Sequence, residues 1–105
     1  MHFSPTAGKN FKAHYLKHKE LLEDVLGKKY PKWKYDEGAT FLVDLLEMIR
    51  SGKFKYEGIG TLNRDSGPGL IFRGQGLTLV LKAPGEFWTL LKSGTGMDKA
   101  IVMVG

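Results

Sequence analysis

The sequence predicts an α+β domain in which two N-terminal helices pack on one face of a C-terminal antiparallel meander of four to five strands. The first observation is a change of period near residue 53: apolar residues recur at helical spacing before it and fall in short β-rich runs after it. The second is the punctuation of those runs by "RDSGPG", "GQG", "APG" and "SGTGMD", which are turn or bulge chemistries. The third is length, since 105 residues without an internal repeat or low-complexity tract suit one core. Helices followed by strands indicate α+β with an antiparallel sheet. The chain therefore reads as a single domain over 1–105, with a helical part at 8–52 and a sheet part at 53–105.

The first helix is expected from near Asn10, an N-cap residue type, to Leu26, with Gly27 as a left-handed stop and Pro31 beyond it. "KKYPKWKY" then forms a basic aromatic connector. Asp36 is suited to cap a second helix, "EGATFLVDLLEMIRS", in which Phe41, Leu42, Leu45, Met48 and Ile49 share a face before Gly52 ends it. The strand runs are "KFKYEGIGTLN", "GLIFRG", "GLTLVLK", "EFWTLLK" and "KAIVMV". With Pro84-Gly85 at the turn of the hairpin, Lys82 faces Phe87, Val80 faces Thr89 and Thr78 faces Leu91 on one face. Leu77, Leu79, Leu81, Trp88, Leu90 and Lys92 make the greasier face, which should meet the helices and leave Thr78, Lys82 and Thr89 on a more open one. The expected core is Leu21, Val25, Phe41, Leu45, Met48, Leu79, Leu81 and Leu90. The glycines of "FRGQG" suggest a bulge beside Arg73 that would let a phosphate approach. "EGIGTLNRDSGPG" is followed by a strand, which excludes Walker and dinucleotide loops.

Composition narrows the function classes. Without cysteine there is no disulfide, thiolate cage or thiol nucleophile. No apolar run approaches the roughly 18 to 20 residues of a membrane span, and "MHFSPTAGKN" lacks the features of a signal peptide. A soluble domain is expected, and a fragment cut from a longer secreted protein would look the same. The net charge of +5 is all N-terminal: residues 1–35 hold eight lysines (9, 12, 17, 19, 28, 29, 32, 34) against Glu20, Glu23 and Asp24, while residues 36–105 balance eight basic against eight acidic groups. Such polarity attracts a polyanion, nucleic acid being the usual one; a solvated basic helix face has the same composition.

Histidines break the first helix's apolar stripe. At about 100° per residue, Phe11, His14, His18, Leu21, Leu22 and Val25 fall in one arc, with Lys17 at its edge and Lys12 outside. Shielding and adjacent charge can bring such rings into the range useful for acid–base catalysis. The alternatives are hydrogen-bonded core histidines and a metal pair at i, i+4, the latter disfavoured by the missing zincin Glu and the absence of an obvious third ligand.

The Lys-His helix ("HYLKHKELL"), the second amphipathic helix and the terminal "FRGQGLTLVLKAPGEFWTLLKSGTGMD" resemble the C-terminal toxin domains of contact-dependent growth inhibition and other polymorphic toxin systems. These have the barnase/EndoU/colicin/RelE fold, and the likeness is to the colicin D-like ribonucleases that cleave tRNA. The resemblance implies secretion within a larger effector, delivery to a competitor's cytoplasm, a tRNA substrate and a cognate immunity protein of acidic character, with room for a host translation factor. It matches Lys17 and His18 to the helical catalytic positions and Thr89 or Ser93 to the late-strand polar one.

The residues suit metal-independent cleavage with no cofactor: a base for the 2′-hydroxyl, an acid for the 5′-oxygen and cations for the phosphorane. His18 is assigned as base or acid, His14 as its complement or orienter, Lys17 with Arg73 or Lys82 as phosphate stabilisers, and Thr78 and Thr89 as positioners. Lys12, Lys28, Lys29, Tyr30, Lys32 and Trp33 are candidate RNA contacts, the aromatics by stacking. A bell-shaped pH profile, EDTA resistance and a 2′,3′-cyclic phosphate product are expected. Two other classes share these features: a non-catalytic RNA- or protein-binding module, and a metal-dependent DNase toxin.

Overall fold

The computed structural model describes residues 11–30, 32, 35–61, 68–82, 85–94 and 101–104. Two helices, α1 (Phe11–Leu26) and α2 (Tyr35–Arg50), precede five strands: β1 (Lys55–Thr61), β2 (Pro68–Gly74), β3 (Leu77–Lys82), β4 (Glu86–Lys92) and β5 (Val102–Val104). All strand pairings are antiparallel. Their order is β4-β3-β2-β1-β5, so the first four form a meander and the last returns to the opposite edge beside β1.

The helix stops follow their glycines. Gly27 at φ 68° and Gly52 at φ 80° take the left-handed conformation that a side chain resists. After α2, the Phe54 N–H donates to the Met48 carbonyl at 2.9 Å and turns the chain into β1. α2 begins at Tyr35, before the expected cap Asp36, whose carbonyl instead accepts a bond from the Thr40 hydroxyl at 3.0 Å.

The buried line of α1 is Phe11, Tyr15, His18 and Leu22, spaced four, three and four residues apart. His14, Leu21 and Val25, placed in the stripe from sequence, lie at its flank and are only partly buried. Aromatic packing sets this rotation. Tyr15, fully buried, has its ring centroid 5.5 Å from Phe41, which in turn lies 5.6 Å from Phe87 of β4 and 5.5 Å from Tyr30. Phe11 closes the cluster against Phe87 at 5.5 Å. These edge-to-face rings, with Leu45, Met48, Leu79, Leu81 and Leu90, form the main core. Burying a large side chain stabilises by roughly 1.5 to 3 kcal/mol, so this layer holds most of the fold's driving force.

The β3–β4 hairpin departs from simple alternation. Val80 pairs with Thr89 and Thr78 with Leu91, but Leu81 pairs with Phe87 and Lys82 with Glu86, leaving Trp88 as an extra residue in a β-bulge. Phe87 therefore reaches the helices and Trp88 lies on the opposite face with Ile71, Val80, Leu91 and Ile101. This corrects the expected Lys82–Phe87 pairing and the placement of Trp88 in the helix-side core. Leu90 enters the main core, and Thr89, though paired with Val80, reaches His18 with its hydroxyl at the edge of the sheet.

"FRGQG" is not a bulge. Gly74 pairs with Leu77 across a two-residue turn, with Gln75 at φ 56° and Gly76 at φ 75°, the two positive angles of a type I′ turn. A Cβ on Gly74 would stand 1.6 Å from the Lys53 carbonyl oxygen, so the glycine admits the chain's own backbone there.

Candidate active site

α1 packs principally on β4, the edge strand next to it, and their seam holds the polar groups expected to react. His18 is 9% exposed, and its Nε2 lies 3.2 Å from the Thr89 Oγ1, 71 positions away in sequence. His14, one turn earlier, stacks on His18 with ring centroids 5.6 Å apart and planes at 16°, and meets the Phe87 ring edge-on at 6.1 Å. The His14 Nδ1 is buried and has no hydrogen-bond partner among the described residues. A buried imidazole nitrogen left unpaired costs on the order of 1 to 3 kcal/mol, and leucine at that place would fill the seam without the cost.

Both rings are held neutral at pH 7. Burial, then the neighbouring His14 and Lys17, bring His18 down to about 4. Burial and Lys17 lower His14 in the same direction. The two rings therefore do not straddle neutral pH, which corrects the bell-shaped profile built on one charged and one neutral imidazole. Lys17 and Lys12 are exposed on α1.

The other expected catalytic groups stand elsewhere. Arg73, Thr78 and Lys82 lie on the sheet face away from the helices. Thr78 is fully buried; its hydroxyl accepts from the Arg73 Nε at 3.3 Å and pairs with the Ser93 hydroxyl at 2.8 Å. The Lys82 ammonium sits 5.1 Å above the Trp88 ring. The one site read from sequence is thus two places on opposite faces. The Trp88 bulge brings Phe87 to the helix side, while Thr89, still paired with Val80, meets His18 through its hydroxyl and Thr78 and Lys82 lie away from the seam.

Of the expected RNA contacts, Lys12, Lys29 and Lys32 are exposed, and Trp33 lies outside the described residues. Tyr30 is corrected: it is 2% exposed and structural. Its hydroxyl donates to Asp44 Oδ2 at 2.5 Å, its N–H donates to Glu23 Oε2 at 2.5 Å, and its carbonyl accepts from the Lys19 ammonium at 2.6 Å. Burial and the Asp44 carboxylate raise its phenol far above the usual range. Lys28 is half engaged, 2.6 Å from Asp44 and 5.1 Å over the Tyr30 ring. Sequence reading missed Tyr15 and the Glu23–Tyr30–Asp44 brace; an acidic residue seven before a tyrosine in a basic connector is too weak a signal to find it.

Among the described residues, no three His, Asp or Glu side chains gather where they could hold a metal ion, and no helix is long and apolar enough to cross a membrane. A shallow hollow lined by Glu23, Asp24, Gly27, Lys28 and Lys29 lies at the far end of α1 from His14. No protein-family model, curated protein or solved structure matches the chain.

Proposed function

We propose that this domain is a metal-independent endoribonuclease toxin that cleaves tRNA in the cytoplasm of a competing bacterium. It would be delivered within a larger effector and restrained by an acidic immunity protein that covers the lysines, with a host translation factor as a further partner. The observation that carries the reading is the meeting of His18 with Thr89 beside the stacked His14, in a seam where the exposed Lys17 acts on both rings. Polar groups cost stability there, and transfer of a 2′-hydroxyl proton uses them.

The burial of His18 and the partial exposure of His14 reverse the roles first assigned to them. Neutral His14, the more accessible ring, takes the 2′-hydroxyl proton as O2′ attacks phosphorus. The P–O5′ bond breaks, and the 5′-oxygen leaves with a proton from the Lys17 ammonium, which the imidazolium then restores. The Lys17 charge steadies the phosphorane, and the products are a 2′,3′-cyclic phosphate and a 5′-hydroxyl. His18, bonded to Thr89, fixes the His14 ring from behind. Because the base form is required and both rings are lowered, activity rises with pH through a midpoint below 6.5 and is flat across neutrality.

The near-complete burial of His18 also suits a non-catalytic RNA-binding module, in which the pair only packs. Inducible expression in bacteria with sequencing of tRNA ends separates the two. The expected result is growth arrest, relieved by a cognate inhibitor, with new tRNA ends that His14→Ala reduces about 100-fold or more while the variant stays folded. Healthy growth with abundant folded protein and intact tRNA would sink the toxin reading.

A further inference from the structure

α1 carries polar groups on both shoulders of its buried line. At about 100° per residue, His14 and His18 lie about 100° and 60° to one side of Tyr15, and Lys19 and Glu23 about 40° and 80° to the other. The first shoulder forms the seam with β4. The second grips the connector: the Lys19 ammonium donates to the Tyr30 carbonyl at 2.6 Å, and the Tyr30 N–H donates to Glu23 Oε2 at 2.5 Å. Tyr30 is in turn fixed to α2, where its hydroxyl donates to Asp44 Oδ2 at 2.5 Å and Lys28 holds the same oxygen at 2.6 Å. Its ring stands edge-on to Tyr15 at 6.2 Å and to Phe41 at 5.5 Å. Backbone and ring of one buried residue therefore pin one side of α1.

A helix turns as one body, so its two shoulders are coupled. The seam shoulder has a reason to lift, because the buried His14 Nδ1 has no hydrogen-bond partner among the described residues and water would supply one. Lifting it presses the Lys19–Glu23 shoulder inward, which the bonds to residue 30 oppose. We infer that Tyr30 is a positioning residue for His14: the clasp it forms with Lys19, Glu23 and Asp44 sets the roll of α1, and thereby how deeply the imidazole sits against Phe87. The reaction served rests on the ribonuclease reading; the mechanical coupling does not.

Lys17 acts on both rings and His14 on His18, all from α1, and from β4 the rings face Phe87 and Thr89, neither of which titrates. Burial is the first cause that lowers His14, so an outward roll raises its midpoint toward 6.5. The test follows the His14 ring proton by NMR over a pH series, assigned with His14→Gln, in wild type, Tyr30→Phe, Lys19→Met, Lys19→Arg and Ile71→Val. Tyr30→Phe cuts the tie to α2, and Lys19→Met, at a half-buried position, cuts one tie to α1 should Tyr30→Phe fail to fold. Both should raise the His14 midpoint. Lys19→Arg, which keeps the donor, and Ile71→Val, which lowers stability from the opposite sheet face, should leave it in place. In RNA cleavage the first two should lose up to about 100-fold in kcat with KM little changed, since a shift of about 1 Å at a reacting group costs on that order. A wild-type His14 midpoint in folded Tyr30→Phe or Lys19→Met would overturn the coupling. Raised midpoints in proteins that leave RNA intact, wild type included, would uphold the coupling and overturn the ribonuclease reading instead.

Discussion

The two faces of this sheet are built from the same alternating strands and solve different problems. Under the helices, Leu79, Leu81, Phe87 and Leu90 meet the Phe11–Tyr15–Phe41 rings, and the polar intrusion there is the His14–His18–Thr89 group. On the other face, Ile71 and Val80 are covered by Trp88, Leu91 and Ile101. A Cβ on Gly69 would stand 2.8 Å from Val80 and 3.2 Å from Trp88, so the indole lies close against the strand because β2 has a glycine there. The difference teaches where specificity resides. Apolar alternation assigns the faces, but the single extra residue at Trp88 decides which aromatic ring, Phe87 and not Trp88, joins the helix-side core.

The largest expected effect tests whether the helix-covered face is the dominant core. Phe41→Ala removes a fully buried ring that contacts Phe11, Tyr15, Tyr30 and Phe87, and should cost about 3 to 5 kcal/mol in urea unfolding. Ile71→Val, equally buried on the opposite face, should cost about 0.5 to 1.5 kcal/mol. Comparable losses per methylene removed would show that both faces carry the fold alike and would erase the contrast.

The next effect is titration, which should appear on the helix side. The unfolded histidine has a pKa near 6.5, and His18 in the fold is held at about 4. Above pH 6.5 both states are neutral and the stability is fully present. As pH falls from 6.5 toward 4 the unfolded chain takes the proton first, so stability declines, and below 4 no further loss comes from this group. At 1.36 kcal/mol per unit, the loss is about 3 kcal/mol. His14 adds in the same direction. Unfolding midpoints at several pH values, compared between wild type and His18→Gln, isolate the contribution from carboxylates that titrate nearby. A stability gap between the two proteins that stays constant from pH 7 to 4 would show His18 to be solvated in the folded state.

Much of this contrast can be read in the residues, and the part that cannot has identifiable causes. The period change at residue 53, the glycine stops and the five strand runs each mark an element, because backbone conformation is set locally by turn chemistry and β-branched or aromatic content. Leu79 and Leu81 fall on the helix side because strict alternation holds through β3. The α1 stripe is displaced because Tyr15, amphipathic in isolation, finds three aromatic partners that only the folded chain brings together. The β1 irregularity at Glu57 and the β4 bulge at Trp88 have no glycine or proline at the extra residue to announce them. Nor does sequence show that β5 crosses to β1, since its three residues pair equally well by pattern with either edge. The candidate residues were therefore legible by type, and their partition between two faces was not.

The smallest expected effect sharpens that partition with two isosteric changes. Thr89→Val removes the hydroxyl that meets His18 and leaves the His18 Nε2 in the seam without its partner, while the added methyl fits the same volume. An unsatisfied buried nitrogen costs about 1 to 2 kcal/mol, and the loss should shrink in a His18→Leu background, where no nitrogen remains to be orphaned. Thr78→Val removes a hydroxyl of equal burial on the other face, yet its partners differ: Ser93 and Arg73 are both partly exposed and can turn to water. That change should cost about 0.5 to 1 kcal/mol. The double-mutant cycle at Thr89 and His18 should therefore return a coupling of about 1 kcal/mol, whereas Thr78 and His18, on opposite faces with no shared partner, should be additive within about 0.5 kcal/mol. Additivity at Thr89 and His18 would mean that the hydroxyl is not held against the imidazole, and with it would go the reason for placing the reactive site on the helix side of the sheet.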